Sequence, residues 1–274
     1  MKKNIIILII ALISIKGMSQ KYYVLKNDPE DIHKLHLSSS LLFDFWDEQT
    51  VLGYSFQSKF VITKRLMVDA YYYSGFKNRD ENDSDPDFTY NNVIPYGWEV
   101  TGQFGFSSNL RRQDLKIRLG EFNGFIESAI IEGKRIRDWT IRGGYMSHNS
   151  KADDDITRNV TMNAFVIGIG HVKWSNLKVN IDGYGKKHGS MMVSYYFDMI
   201  FATSITTNDS IKRPISSKTG WRFGIEVNTS ISSRFSMYLK ASLENRPGIS
   251  KGEYLGKSIG PDMVLVTGIS LQLL

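Results

Sequence analysis

The chain has no cysteine, only six prolines and no apolar run long enough to cross a membrane as a helix. The lack of cysteine excludes a disulfide framework, a thiolate metal site and lipid attachment at an N-terminal cysteine. Its slightly polar mean hydropathy excludes a bundle of membrane helices. Charged residues at 23% and aromatic residues at 12% exclude a disordered chain. The 274 residues are therefore expected to fold as an ordered protein of one large domain or two small ones.

Residues 1–19 have the three parts of a cleaved secretory signal peptide. Two lysines near the start precede an apolar run over 5–15, and small residues favour cleavage after Ser19. The run is shorter than the about 20 residues of a membrane-spanning helix. The segment holds three lysines and no acidic residue, so its removal lowers the formal net charge from +6 to +3. We expect export, a periplasmic N-terminal segment at 20–34 and no nucleic-acid partner.

The rest of the chain alternates apolar and polar residues with a period of two. The segment 98–106 places Trp, Val and Phe side chains on one face and Glu, Thr and Gln side chains on the other. The segments 115–119, 139–142, 221–228 and 235–241 follow the same pattern. Because successive side chains of a strand point to opposite faces, each segment is predicted to be a strand with one apolar and one polar face.

Twelve strands are predicted in this way. Most run for about 9 to 13 residues, longer than the about 5 to 6 of ordinary sheets and close to the about 9 to 11 that a tilted strand needs to cross a bilayer. The predicted strands are 35–45, 51–61, 65–76, 97–107, 113–123, 125–132, 139–147, 160–173, 191–203, 220–230, 234–244 and 263–273.

The connections between these strands are of two kinds. Tight turns are predicted at 63–64, 107–112 and 232–233. The long connections are 77–96, 147–159, 204–219 and 245–261. With both termini in the periplasm, every long connection lies on the outer side and every tight turn on the periplasmic side, as in membrane barrels. The segment 175–189 is interpreted as a longer periplasmic connection, because a thirteenth strand would leave one end on the wrong side.

These features resemble the outer-membrane β-barrel proteins of Gram-negative bacteria. The resemblance covers about 20–274 and rests on the signal segment, the alternation and the closing strand 264–274. That family usually ends in an aromatic residue, whereas this chain ends in Leu274. The resemblance implies an all-β fold, a closed antiparallel transmembrane barrel over 35–274, with twelve strands favoured and about 10 to 14 allowed. It also implies a place in the cell outer membrane, with outer-membrane lipid, the barrel-insertion machinery and an envelope protein as partners.

The polar faces of the predicted strands supply ten charged side chains for the barrel interior. They are Lys59, Asp69, Glu99, Lys116, Arg118, Arg142, Asp198, Arg222, Glu226 and Lys240. Six are cationic and four are anionic. Such a mixed interior either pairs its charges across the lumen and plugs it, or lines a narrow water path.

All five tryptophans lie at ends of predicted strands. They are Trp46, Trp98, Trp139, Trp174 and Trp221. Indole rings prefer the membrane–water interface, where the ring is buried and the N–H stays hydrated. The positions predict an interfacial girdle.

Asp83, Asp85 and Asp87 alternate in a predicted outer loop and present oxygen ligands that suit Ca²⁺. The loop lacks the glycine and distal glutamate of an EF-hand, and a solvated acidic loop is the alternative interpretation. The chain has no phosphate loop and no dinucleotide fingerprint, and its histidines lack metal-ligand spacing. We expect no cofactor, or calcium at this loop.

His148 and Ser150 lie two residues apart at the outer end of a predicted strand, so they share a face. A histidine base beside a serine hydroxyl is the minimum for a nucleophile. The His-x-Ser pattern resembles that of lipid A deacylases, but ordinary loop polarity is the favoured interpretation.

Three functions remain open from the sequence. The favoured one is non-enzymatic: a structural barrel, a narrow porin-like channel or a component of envelope assembly. The second is a hydrolase of outer-leaflet lipid that uses His148 and Ser150. The third is a soluble periplasmic β-protein that binds a ligand, because alternating strands also build soluble sandwiches.

Overall fold

A computed structural model describes most of the chain. The described ranges are 22–29, 34–46, 49–76, 93–122, 125–152, 159–208, 217–232, 234–247 and 262–273. The predicted signal peptide and the aspartate-rich loop lie outside these residues. Within the described ranges, no helix is long and apolar enough to cross a membrane.

The described residues form eleven strands. They are β1 (Tyr22–Asn27), β2 (Leu35–Trp46), β3 (Gln49–Val61), β4 (Leu66–Gly75), β5 (Val93–Phe122), β6 (Phe125–Ala152), β7 (Asn159–Ile181), β8 (Gly185–Asn208), β9 (Thr219–Ser230), β10 (Phe235–Asn245) and β11 (Asp262–Leu273).

Strands β2 to β11 form a closed antiparallel barrel. Each strand pairs with its neighbour in the chain, and β11 pairs with β2 along its whole length, from Met263 opposite Phe45 to Leu273 opposite Leu35. The closed antiparallel barrel predicted from the alternation is therefore confirmed, with ten strands rather than the favoured twelve. Strand β1 lies outside the closed sheet and pairs only with the end of β7.

The apolar side chains of the barrel wall point outward and the polar ones point inward. Along β3, Phe56 and Phe60 are exposed, whereas Gln57 and Lys59 are buried. The same division holds on β9, where Phe223 is 50% exposed and its neighbour Arg222 only 2%. A soluble sandwich would show the opposite arrangement, with apolar faces packed against each other.

Two pairs of predicted strands are continuous in the structure. The segments 97–107 and 113–123 both belong to β5, and 125–132 and 139–147 both belong to β6. The predicted tight turn at 107–112 was wrong, because these residues continue the ladder with β6 after a bulge between Gly105 and Ser107. In these residues apolar and polar side chains stop alternating because the surroundings of the strand change. The chain does not reverse direction here.

The segment 175–189 is a hairpin rather than a loose connection. It contains the end of β7, a turn at 182–184 and the start of β8. Gly183 and Gly185 have φ angles of 83° and 68°, which residues with a side chain rarely adopt, so these glycines allow the tight reversal. The hairpin lies at the same end of the barrel as the other tight turns.

The two longest hairpins continue past the barrel and pack against each other. We call residues 113–134 and 177–189 the hairpin extension. Its core contains only apolar side chains, contributed mainly by β5, β6 and β7. The buried members are Leu115, Ile117, Leu119, Ile131, Leu177, Val179 and Ile181. Strand β1 adds a third strand beside β7, and the Asn27 side chain accepts a hydrogen bond from the backbone N–H of Lys134 at 2.8 Å.

The face of the sheet that is buried in the extension is the same face that points outward in the barrel. Along β6, Ile141 is exposed and Ile131 is buried, although an even spacing places both on one face. Along β7, Ile169 and Leu177 show the same change. Each hairpin therefore covers the apolar outer face of the other once the strands have left the barrel.

The adjacent isoleucines of β6 test this packing directly. We expect Ile131→Ala to lower the free energy of unfolding of the extension by about 2–5 kcal/mol, because it removes buried methyl groups and leaves a cavity. Ile130→Ala, on the opposite face and 69% exposed, is expected to change it by less than about 0.5 kcal/mol. Amide hydrogen exchange of residues 113–134 in the detergent-purified protein measures both. Equal effects of the two substitutions would contradict the assignment of the buried face.

Candidate functional site

The barrel interior is crossed by a row of ion pairs centred on Arg222. The Arg222 guanidinium on β9 donates two hydrogen bonds to Glu99 on β5, each at 2.6 Å. It also donates to Asp198 on β8 at 2.8 Å. Arg142 on β6 donates to the other oxygen of Asp198 at 2.9 Å. The row joins four strands and connects opposite walls of the barrel.

A glycine makes this row possible. The register places Arg142, Gly168, Asp198 and Arg222 opposite one another on four successive strands. A Cβ atom on Gly168 would overlap the carboxylate of Asp198. The missing side chain on β7 therefore lets Arg142 reach across this strand to Asp198 on the next strand.

A second group of charges lies nearer the tight-turn end and centres on Lys59. Its Nζ donates to Glu226 at 2.6 Å and lies 3.5 Å from Asp69. Gln103 donates to the other oxygen of Asp69 at 2.8 Å, and the Gln57 amide donates to the oxygen that Lys59 approaches, at 3.4 Å. Strands β3, β4, β5 and β9 are thus joined through buried polar side chains.

A third group lies toward the long-connection end. Arg246 donates to Glu244 at 2.9 Å and to Asp44 at 3.2 Å, and Ser242 donates to Glu244 at 2.8 Å. Arg222 lies 4.0 Å from Glu244, so this group is continuous with the central row.

Buried tyrosines fill the space between the charges. The Arg142 and Arg222 guanidinium groups lie 4.2 Å and 5.3 Å from the centre of the Tyr196 ring. Lys240 lies 4.1 Å from the centre of the Tyr71 ring. These contacts give the cations a second favourable interaction away from water.

The interior ends at the tight-turn side in an apolar layer. It consists of Val61, Met67, Ile136, Val172, Trp174 and Met192. Just beside the Lys59 group, a cavity of about 10 Å³ lies between Lys59, Glu226 and Tyr238. A volume of this size holds about one water molecule. The inward side chains around this cavity are buried, so they fill this part of the described interior.

Eight of the ten charged residues predicted for the interior are buried inside the barrel. They are Lys59, Asp69, Glu99, Arg142, Asp198, Arg222, Glu226 and Lys240. The prediction was wrong for Lys116 and Arg118, which are exposed on the hairpin extension. Their strand segment has left the barrel, so its apolar face is covered by protein and its charged face meets solvent.

Several interior residues were not predicted from the sequence. Asp44, Glu244 and Arg246 lie near strand ends, and Tyr71, Tyr73, Tyr196 and Tyr238 were not assigned to either face. The period of two could have assigned two of these tyrosines to the interior, because Tyr71 and Tyr73 share a face with Asp69. Tyrosine also suits lipid-facing positions, so composition alone does not assign it.

The tryptophans divide between the two faces. Trp98 and Trp139 are exposed on the outer face, and Trp221 is half-buried. The side chain of Trp46 lies outside the described part of the structure. The girdle assignment was wrong for Trp174, which is 2% exposed and packs in the apolar layer, because it shares its face with the inward-pointing Val172.

His148 is buried in the barrel wall rather than open at the rim. Its Nδ1 shares a short hydrogen bond with the Tyr73 hydroxyl, and the two rings stack. The backbone of Ser150 continues β6, but its side chain lies outside the described residues. The proposed His–Ser pair therefore gains no support from the surroundings of His148.

The predicted calcium ligands Asp83, Asp85 and Asp87 also lie outside the described residues, so this site stays a prediction. Across the ranges that the structure describes, no group of three or more His, Asp or Glu side chains is arranged to hold a metal ion.

No protein-family model and no curated protein sequence matches the chain. Among solved structures, it is similar to an anion-selective porin from Comamonas acidovorans, at 8% identity over 92% of this chain and 99% of that one, with a TM-score of 0.22. It is also similar to OmpT, an outer membrane protein of Vibrio cholerae, at 9% identity over 90% and 99% of the two chains, with a TM-score of 0.21. At these values the strand pairing described above, rather than the likeness, establishes the barrel.

Removal of Arg222 is expected to destabilise the barrel strongly. Arg222→Met leaves the buried carboxylate of Glu99 without its partner and Asp198 with Arg142 alone, which costs about 3–5 kcal/mol. Arg112→Met is the matched control, because Arg112 and Glu132 form an ion pair at 3.7 Å with both side chains exposed. Such a pair contributes about 0–1 kcal/mol. Urea titration of the detergent-refolded barrel measures both changes, and an Arg222→Met loss no larger than the control would contradict the buried network.

Proposed function

We propose that the protein is an outer-membrane β-barrel with a closed interior, serving a structural or envelope-assembly role. The observation that carries this proposal is the buried ion-pair network across the lumen. Among the described residues, five cations and seven carboxylates are buried. A water path through this interior would require these pairs to separate.

The outer surface of the barrel supports a membrane location. Exposed apolar side chains recur along β3 from Leu52 to Phe60, a length close to the about 9 to 11 residues that cross a bilayer as a tilted strand. Scattered apolar residues are normal on soluble proteins, but a continuous apolar wall marks a surface that contacts something other than water.

The closed interior distinguishes this proposal from a porin-like channel. Buried charges in a narrow protein interior are stable when they are paired and hydrogen-bonded, and they cost several kcal/mol when they are separated. The central row joins β5 and β6 to β8 and β9, and the Lys59 group joins β3 and β4 to β9. These links hold opposite walls together and occupy the space that a solute would need.

The hairpin extension suits a structural role in the envelope. It is rigidly continuous with four barrel strands and carries its own apolar core. With the tight turns on the periplasmic side, the extension projects into the periplasm, where a protein partner can contact it.

We expect the protein to be recovered with the outer-membrane fraction and to require detergent for extraction. The reason is the apolar outer wall, because exposure of its apolar side chains to water is unfavourable. Fractionation followed by immunodetection measures this, and recovery in the soluble periplasmic fraction would overturn the membrane proposal.

We also expect no conductance steps from the wild-type protein in a planar bilayer. Glu99→Ala combined with Arg222→Ala removes both ends of one cross-lumen pair, while Asp198 keeps Arg142 and Glu244 keeps Arg246 as partners. Small steps are therefore expected from this variant. Arg112→Ala with Glu132→Ala removes an exposed pair and should remain silent. Regular steps from folded wild-type protein would favour the narrow channel instead.

A further inference from the structure

A band of unpaired cations crosses the outer face of the sheet between the barrel wall and the hairpin extension. Its members are Arg111 on β5, Arg135 and Arg137 on β6, and Lys173 on β7. We call these four residues the cationic band. Strand spacing and register place them on the same face as the exposed Trp139 and Ile141.

The strand register sets these cations directly opposite one another. Arg135 lies opposite Arg111 in the β5–β6 ladder, and Arg137 lies opposite Lys173 in the β6–β7 ladder. Like charges directly opposite each other destabilise a sheet. Within the described residues, none of the four forms an ion pair with a carboxylate. The arrangement is therefore one that a bound anion would stabilise.

Three of the four cations, Arg135, Arg137 and Lys173, contact neighbouring side chains. The Gln113 side-chain carbonyl accepts a hydrogen bond from Arg135 at 3.0 Å and another from Arg137 at 3.5 Å. Lys173 lies 5.0 Å from the centre of the Tyr195 ring. The Nε atom of Arg137 is buried and has no hydrogen-bond partner among the described residues, so one charged donor remains to be satisfied.

Burial and the neighbouring Arg137 charge lower the pKa of the Arg135 guanidinium. Burial is the larger cause of this lower pKa, and the Arg137 charge adds to it, as expected for two neighbouring cations.

The band lies where the apolar outer wall ends. Along this face of β6, the order is Ile141, Trp139, Arg137, Arg135 and then the buried Ile131 of the extension core. The Trp139 ring lies 4.9 Å from the His171 ring, immediately above Arg137 and Lys173. Aromatic side chains mark the membrane–water interface. The cations are therefore at the depth of lipid headgroups.

We propose that the cationic band binds the phosphate of an anionic phospholipid headgroup in the leaflet that borders the tight-turn end of the barrel. Guanidinium groups bind phosphate oxygens through paired hydrogen bonds. The lipid's acyl chains would lie along the exposed wall above Trp139. The proposal rests on the membrane location proposed above.

Titration of the full-length protein in non-ionic detergent with phosphatidylglycerol, followed by native mass spectrometry, tests this site. We expect the triple variant Arg135→Gln, Arg137→Gln, Lys173→Gln to bind phosphatidylglycerol more weakly by about five-fold per charge removed, on the order of 100-fold in all. A double variant with Arg135→Lys and Arg137→Lys keeps the charge but loses the paired guanidinium donors, so it should bind more weakly than the wild type and more tightly than the triple variant.

The matched control removes three charges from the opposite face of the same hairpin: Arg112→Gln, Lys116→Gln and Lys134→Gln. It should leave the affinity unchanged, and an equal loss there would overturn the site in favour of non-specific electrostatic attraction.

Competition by inorganic phosphate at the same concentration as phosphatidylglycerol would overturn the lipid as ligand. Heat-dependent gel mobility verifies that each variant is folded. A soluble protein would overturn the proposed function itself, whereas a membrane-embedded triple variant with undiminished lipid affinity overturns this inference alone.

Discussion

The backbone hydrogen bonds of the first and last barrel strands are the constraint on which the rest of the structure depends. In hydrocarbon no water is present to satisfy a free N–H or C=O group, so an open sheet edge costs several kcal/mol per group. The pairing of β11 with β2 removes both edges at once. Closure then forces a division of surfaces, because one face of every strand becomes an outer wall and the other encloses a narrow interior.

The enclosed interior in turn dictates how its charges are arranged. A charge held there has little water around it, so it is stable only beside an opposite charge or another strong hydrogen-bond partner. The row through Arg142, Asp198 and Arg222 meets this requirement because Gly168 leaves room for one side chain to cross a strand. The ion pairs of this row therefore depend on the small residue at position 168. A larger residue on β7 would separate Arg142 from its carboxylate even though neither charged residue had changed.

The period of two was enough to predict the barrel and most of its interior, but it does not report what covers an apolar face. Alternation gave the inward direction of Lys59, Arg222 and Lys240 correctly. It failed for Lys116, because the same alternation continues beyond the barrel. There a second hairpin covers the apolar face, and the charged face meets solvent. The polar run at 107–112 was predicted to be a turn because it lacks alternation, but it is part of a strand. Contacts between distant hairpins decide these cases, and no local pattern contains them.

Strand β6 shows how one continuous element passes through three environments without changing face. Its outward side chains run from the exposed Ile141 through Trp139 and the two arginines to the buried Ile131. The apolar ends need a non-aqueous neighbour, while the arginines between them need water or an anion. Since the ladder is unbroken from 135 to 150 against β7, these zones keep a fixed distance from one another. The extension is consequently held at a set distance and orientation from the barrel wall, which a flexible tether would not achieve.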